Sequence, residues 1–159
     1  MKRLYLDTIF FFLGRGLQYL SRYDPMIRRE ISVWPDGFTF SFYVSPSGPA
    51  LHILKEKGKL RFKGLEWYDS DLIIFFKQQD AAFQIFSMQL PFYTAYARHL
   101  ASVKGDPGNA MIIYRLFNRL QTLMLPRFIA RRVLKTISPL QKKDWILRFG
   151  LYFSGLLFG

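Results

Sequence analysis

Few residues in this chain could perform chemistry, and none of them are grouped as chemistry requires. The two histidines, His52 and His99, are far apart, and neither has a second ligand at helical or hairpin spacing, so they read as hydrogen-bonded or surface side chains rather than a metal site. Asp69 and Asp71 are the nearest pair of acids, two residues apart at the start of an apolar run. Paired carboxylates do acid–base work when burial or convergent partners split their proton affinities, and a solvated strand end offers neither. Asp106 beside Gly105 reads as turn chemistry, and Ser87 and Ser102 lack the strand–turn–helix setting of an activated nucleophile. Gly14-Arg15-Gly16 is not a dinucleotide fingerprint, and no phosphate-binding loop ends in Gly-Lys-Ser/Thr. The absence of cysteine excludes disulfides, thiol nucleophiles, iron–sulfur clusters and thiolate zinc sites. The sequence therefore points to a protein that is not an enzyme and carries no metal or cofactor.

Charge and aromatic content point to a binding role. Half of the 159 residues are apolar, and seventeen Phe and nine Tyr exceed the needs of one small core, so part of that surplus is expected to line a cavity or lie against lipid. The net charge is +12, and half of that excess lies in the last 34 residues, beside the most lipophilic stretch. A basic excess attracts nucleic acid or anionic membrane, and basic residues interleaved with Phe, Leu and Trp on a helix favour the membrane. The run Lys55-Glu56-Lys57-Gly58-Lys59-Leu60-Arg61-Phe62-Lys63 could track phosphates, but it reads equally as a solvated outer strand protected by lysines. No single-strand or helix-turn-helix signature accompanies it, and nucleic acid is disfavoured.

The elements that must position a binding site fall into three regions. Residues 1–30 read as an amphipathic helix, with Leu6, Ile9, Phe10, Leu13, Leu17 and Leu20 in one stripe, ended or restarted at Asp24-Pro25. Residues 31–125 carry the strand signals. Phe38, Phe40, Phe42 and Val44 alternate with polar residues, and successive strands are predicted over residues 50–57 and 60–63. Residues 72–77 form a strand apolar on both faces and hence interior. The period then changes: Asp80 is placed to cap a helix over residues 81–88, Pro91 opens another, a short strand spans 100–104, and a long helix starts at Asn109. Residues 126–159 mix Arg127, Arg131 and Arg132 with apolar side chains, then give a last helix in which Trp145, Ile146, Phe149, Tyr152 and Phe153 share a stripe behind Lys142, Lys143 and Arg148. This order predicts an α+β fold with a mainly antiparallel sheet. Neither apolar end reaches the roughly 20 residues of a spanning helix. No signal-cleavage pattern follows the first apolar run, so a cytoplasmic, peripherally membrane-associated protein is expected.

From Asp71-Leu72-Ile73-Ile74-Phe75-Phe76, through Leu100-Ala101-Ser102-Val103-Lys104-Gly105-Asp106, to the helix holding Ala110 and Leu116, the chain resembles the sterol-carrier-protein lipid-binding family. The resemblance covers roughly residues 31–125. It implies a mostly antiparallel five-stranded sheet covered on one face by helices, with an apolar tunnel between them for sterols, acyl chains or isoprenoid tails. Residues that would line it are Phe40, Phe42, Ile53, Ile74 and Phe76 from strands, and Phe86, Phe92, Tyr96, Ile113, Phe117 and Leu120 from helices. The Gly-Asp turn, long following helix and basic tail are similar to those of a bacterial subgroup that presents prenylated intermediates to enzymes of quinone biosynthesis. The terminal helices are additions to the family pattern. They are expected in the membrane interface, with Arg127, Arg131, Arg132, Lys142, Lys143, Trp145, Arg148, Phe149 and Phe153 meeting an anionic surface; self-association of the apolar tail is a further expectation. The competing reading is a membrane-attached scaffold whose core is filled by side chains.

Overall fold

The computed structural model describes residues 1–124 and 141–155. The chain opens with α1 (Lys2–Tyr23) and α2 (Pro25–Ile31), followed by β1 (Thr39–Val44), β2 (Ala50–Glu56), β3 (Lys59–Gly64) and β4 (Leu72–Phe76). Next come α3 (Gln79–Phe86), α4 (Phe92–Ala97), β5 (Ala101–Lys104), α5 (Pro107–Met124) and α6 (Lys142–Gly150), which continues as a π-helical turn, Leu151–Gly155. The strands form one sheet in the order β3-β2-β1-β4-β5. All neighbours are antiparallel except β1 and β4, so the sheet is mixed. The parallel pair exists because β4 returns to the free side of β1 after the β1-β2-β3 meander. Asp71 fixes this return by accepting hydrogen bonds from the Thr39 backbone N–H at 2.9 Å and the Thr39 hydroxyl at 3.1 Å.

Strand alternation places Phe40, Phe42 and Val44 on the face that the helices cover. Phe42 meets Phe10 of α1, Phe86 of α3 and Phe117 of α5 at ring-centroid distances of 6.2, 6.4 and 4.8 Å. The opposite face carries Ser41, Tyr43, His52 and Phe75, with Trp67 of the following loop resting 4.8 Å from Tyr43. Interior β4 is apolar on both faces as its sequence predicts, with Ile73 and Ile74 both buried.

The apolar stripe of α1 does not face a membrane, which corrects the expectation for residues 1–30. Leu6, Phe10, Leu17 and Leu20 are fully buried and belong to the same hydrophobic cluster as the sheet. Helix α1 also closes the sheet at β3. The Gln18 side-chain oxygen accepts the Phe62 N–H at 2.9 Å, and the Ser21 hydroxyl oxygen accepts the Leu60 N–H at 3.0 Å. These two bonds satisfy outward-facing strand groups that would otherwise template edge pairing. Gly14 permits the approach, because a side chain there would overlap the Phe62 ring. Lys55, within the basic run, is buried and caps the end of α2 by donating to the carbonyl oxygens of Ile31, at 2.8 Å, and Trp34. Two further boundaries differ from the sequence reading. Helix α3 begins at Gln79, so Asp80 lies in its first turn and pairs with Lys2 at 2.7 Å rather than capping. Helix α5 begins at Pro107, its exposed N–H of Gly108 held by the Asp106 carboxylate at 2.8 Å.

Helix α6 is docked rather than free. Asp24, at the cap of α2, and Asp144, in the first turn of α6, both receive Arg119 of α5, at 2.7 and 2.5 Å. All three side chains are at least nine-tenths buried. Asp144 also closes a capping box with Gln141, and Leu151 is fully buried next to Gly16 of α1. Burial disfavours the Arg119 cation, but the hydrogen bonds and attraction from both carboxylates outweigh that effect and hold it above the ordinary guanidinium value.

Candidate ligand cleft

An apolar cleft lies between the helix-covered face of the sheet and α3, α4 and α5. Phe42, Ile74 and Phe76 form its floor; Ile85 and Phe86 of α3 form one wall, and Ile113, Tyr114, Phe117, Asn118 and Gln121 of α5 another. Leu90, Pro91, Phe92 and Tyr93, from the start of α4 and the turn before it, close the remaining side. The floor is apolar because three successive inward positions on neighbouring strands are aromatic or aliphatic, registered as Phe42 beside Ile74 and Val44 beside Phe76. Its aromatic rings pack tilted or edge to face, with Phe76 at 5.3 Å from Phe86 and 6.3 Å from Phe92. The cleft is partly open to solvent, and its free volume is about 50 Å³. A single water occupies about 10–15 Å³ on this scale, so the cleft admits a few atoms unless its wall moves.

The wall formed by α4 is the shortest and least buried. This helix is six residues long, and the segment holding it runs between two residues with left-handed backbone, Met88 at φ 64° and His99 at φ 57°. Non-glycine residues pay a steric penalty in that region, which concentrates strain at the two ends of the segment. Only Ala95 of α4 is fully buried, whereas Tyr93 and Tyr96 are about half exposed.

Of the eleven side chains expected to line a tunnel, the cleft brings together Phe42, Ile74, Phe76, Phe86, Phe92, Ile113 and Phe117. The other four lie elsewhere. Phe40 packs against Trp34 at 5.6 Å, and Ile53 is fully buried in β2. Leu120 faces Gly16 of α1, and Tyr96 points to the outer side of α4. Sequence reasoning missed Ile85, Leu90, Pro91, Tyr93, Tyr114, Asn118 and Gln121. The signal for three of them was present: Tyr114, Asn118 and Gln121 follow each other at spacings of four and three on α5, and Phe117 shares their side. Asn118 and Gln121 are polar, yet they border an apolar cleft.

Helix α6 and its π-helical continuation expose Trp145, Ile146, Phe149, Tyr152 and Phe153, with Ile146 and Phe153 more than 70% accessible. Lys142 and Lys143 are exposed at the start of this surface, and Arg148 lies 5.5 Å from the Trp145 ring centroid. The hydroxyl of Tyr152 donates to the Met124 carbonyl oxygen and ties this surface to the end of α5. Arg127, Arg131 and Arg132 lie outside the described residues. No helix among the described residues is long and apolar enough to cross a membrane.

On the opposite sheet face, the hydroxyls of Ser41 and Ser70 converge on Nδ1 of His52 at 2.8 and 3.1 Å, and the Tyr68 ring lies tilted at 44° with its centroid 5.0 Å from that of the imidazole. Burial, with a contribution from the Lys63 charge, holds His52 below the ordinary imidazole value. Among the described residues no carboxylate is hydrogen-bonded to the imidazole, and Ser41 is buried. Among the described residues no group of three His, Asp or Glu side chains is placed to hold a metal ion.

The fold is similar to that of sterol-carrier-type proteins. A solution structure of a conserved hypothetical protein from Thermus thermophilus, described as possibly sterol carrier protein, matches 81% of this chain and 89% of its own at a TM-score of 0.50 and 17% identity. The UbiJ-SCP2 ubiquinone synthesis protein matches 68% of this chain and 89% of its own, at a TM-score of 0.46 and 13% identity. Sterol carrier protein 2 from Yarrowia lipolytica matches 80% of this chain and 91% of its own, at a TM-score of 0.44 and 13% identity. No family model matches the sequence, and no curated protein is significantly similar to it.

Proposed function

We propose that this protein binds a hydrophobic lipid without transforming it and presents it at a membrane surface to lipid-modifying enzymes. The observation that carries this reading is the apolar cleft of Phe42, Ile74, Phe76, Phe86, Phe92, Ile113 and Phe117, bordered by the short helix α4. A continuous apolar lining with few polar anchors is what a lipid pocket needs. Loading displaces the segment from Leu90 to Phe92, because a chain of lipid length does not fit beside it. Binding then offsets the lost contacts of that segment with those of the lipid, at about 0.8 kcal/mol per buried CH₂. The exposed stripe on α6 supports docking on an anionic membrane, since Trp145, Ile146, Phe149 and Phe153 sit beside Lys142 and Lys143 in a chain of net charge +12. Each cation near anionic lipid adds about 1 kcal/mol.

Gentle purification, solvent extraction and mass spectrometry test this directly: a stoichiometric acyl, sterol or prenyl species is expected. Phe117→Asp, which sets an ionised carboxylate against Phe42, is expected to abolish lipid retention while circular dichroism stays unchanged. The narrowness of the cleft favours one competing reading, a membrane-held scaffold with a filled core. No extracted lipid, together with no uptake of a fluorescent fatty acid or sterol, would establish that scaffold instead.

A further inference from the structure

The basic run on β3 has a setting that lipid binding does not use. Leu60 is buried in the core and Phe62 packs on α1, so Lys59, Arg61 and Lys63 turn to the sheet face opposite the helices, where all three are exposed. Alternate residues of a strand stand about 7 Å apart, which spreads the three cations in a row. On the same face, the loop of residues 65–71 crosses from β3 to β4 and holds Trp67 and Tyr68 about half exposed. Trp67 packs against Tyr43 and Phe75, with ring centroids 4.8 and 6.1 Å away, and the Tyr68 ring lies 5.0 Å from that of His52. The loop is pinned from beneath: the Ser70 hydroxyl is bonded to Ser41 at 2.5 Å and to His52 at 3.1 Å, and Asp71 accepts from the Thr39 N–H at 2.9 Å. The row of cations reaches these rings, because the Lys63 charge acts on the same His52. The neighbouring acids are engaged. Glu56 pairs with Arg61 at 2.5 Å, Glu66 accepts from the Tyr68 hydroxyl at 3.1 Å, Asp69 pairs with Lys104 at 3.9 Å, and Asp36 accepts from the Gly58 N–H at 3.0 Å.

We propose that this face binds single-stranded nucleic acid, with phosphates along Lys59, Arg61 and Lys63 and two bases stacked on Trp67 and Tyr68. Cations that track a backbone beside exposed aromatic rings are the combination that single strands require, and every base offers a face to stack. A duplex keeps those faces within its own stack, so the platform distinguishes strand state rather than sequence. Rings already supported by the sheet, on a loop already pinned, lose little freedom when a base covers them. The net charge of +12 adds long-range attraction for a polyanion. An anionic bilayer matches the cations equally, but two consecutive rings held beside them are what stacking uses. The site lies on the sheet face away from the apolar cleft, so it stands or falls independently of lipid binding.

The test is fluorescence anisotropy of a labelled oligothymidylate of about 12 nucleotides with the full-length protein, titrated at several salt concentrations. Three phosphate contacts predict a slope of log K against log salt of about −2. Lys59→Gln with Lys63→Gln is expected to weaken binding and bring that slope to about −0.7. Trp67→Ala with Tyr68→Ala is expected to weaken binding at least about tenfold while the slope persists. The two lysines are exposed, so their result stands even where the loop variant proves unstable. Absence of binding, or a duplex of equal length bound as tightly as the single strand, would overturn the proposal. So would anionic vesicle binding that falls on the lysine substitutions while oligonucleotide binding does not, which would assign the row to the membrane. Oligonucleotide binding lost on Lys142→Gln with Lys143→Gln, and kept in both of the other variants, would place the contact on α6 instead.

Discussion

His52 illustrates how one side chain's surroundings set its behaviour. Its Nδ1 lies within hydrogen-bond distance of two serine hydroxyls that are also bonded to each other, and burial holds its proton affinity below the ordinary value. The unfolded chain therefore takes up a proton at this position more readily than the folded one. Stability from this source is complete above the ordinary imidazole value of about 6.5 and declines as pH falls through the lower folded value. Denaturant melts between pH 7 and 5 are expected to show a steeper loss of stability for the native sequence than for His52→Gln. Equal slopes would mean that the serine cluster does not sense protonation. Phe117 matters at the same scale, since its ring joins the sheet floor to α5 at 4.8 Å from Phe42 and also lines the cleft.

At the scale of elements, the C-terminal helix is both structural and exposed. Its inner side is fixed by Asp144 on Arg119 and by Leu151 against α1. Its outer side presents aromatic and aliphatic residues to solvent. A chain ending at residue 126 therefore loses more than membrane affinity. It uncovers Gly16 and Leu120, removes one of two carboxylates from Arg119, and is expected to lose about 2–5 kcal/mol of stability. A thermal melt checks this, and an unchanged Tm would show that α6 does not support the core. The ligand cleft lies on a different side of α5, so lipid uptake by any folded truncated chain is expected to persist.

For the whole molecule, charge and exposed apolar surface act together. Binding to vesicles containing anionic lipid is expected to weaken as salt rises from 0.05 to about 0.5 M, because screening acts on Lys142, Lys143 and the long-range field while the apolar insertion persists. Phe149→Glu with Phe153→Glu removes that insertion and is expected to leave Tm unchanged, since both side chains are more than half exposed. Sedimentation with neutral and anionic vesicles reads both effects. Salt-insensitive binding that survives the double substitution would place the membrane contact elsewhere on the protein.

The sequence by itself determined the elements and their order. Alternation of Phe38, Phe40, Phe42 and Val44 identified β1, the run of residues 72–76 identified an interior strand, and the spacing of Leu6, Phe10, Leu13, Leu17 and Leu20 identified α1. Local periodicity records which side chains turn inward, and that much is encoded within a few residues. What each inward face meets was decided only by tertiary structure. The α1 stripe, equally suited to lipid or to a sheet, packs on the sheet because Gly14 lets the helix close on Phe62 and because Gln18 and Ser21 complete the bonding of β3. Phe40 and Phe42 are two residues apart on one strand face, yet Phe40 packs against Trp34 and Phe42 reaches the cleft. An apolar side chain carries no label for core or for pocket wall. That distinction belongs to the space left between elements, which arises only when distant parts of the chain are brought together.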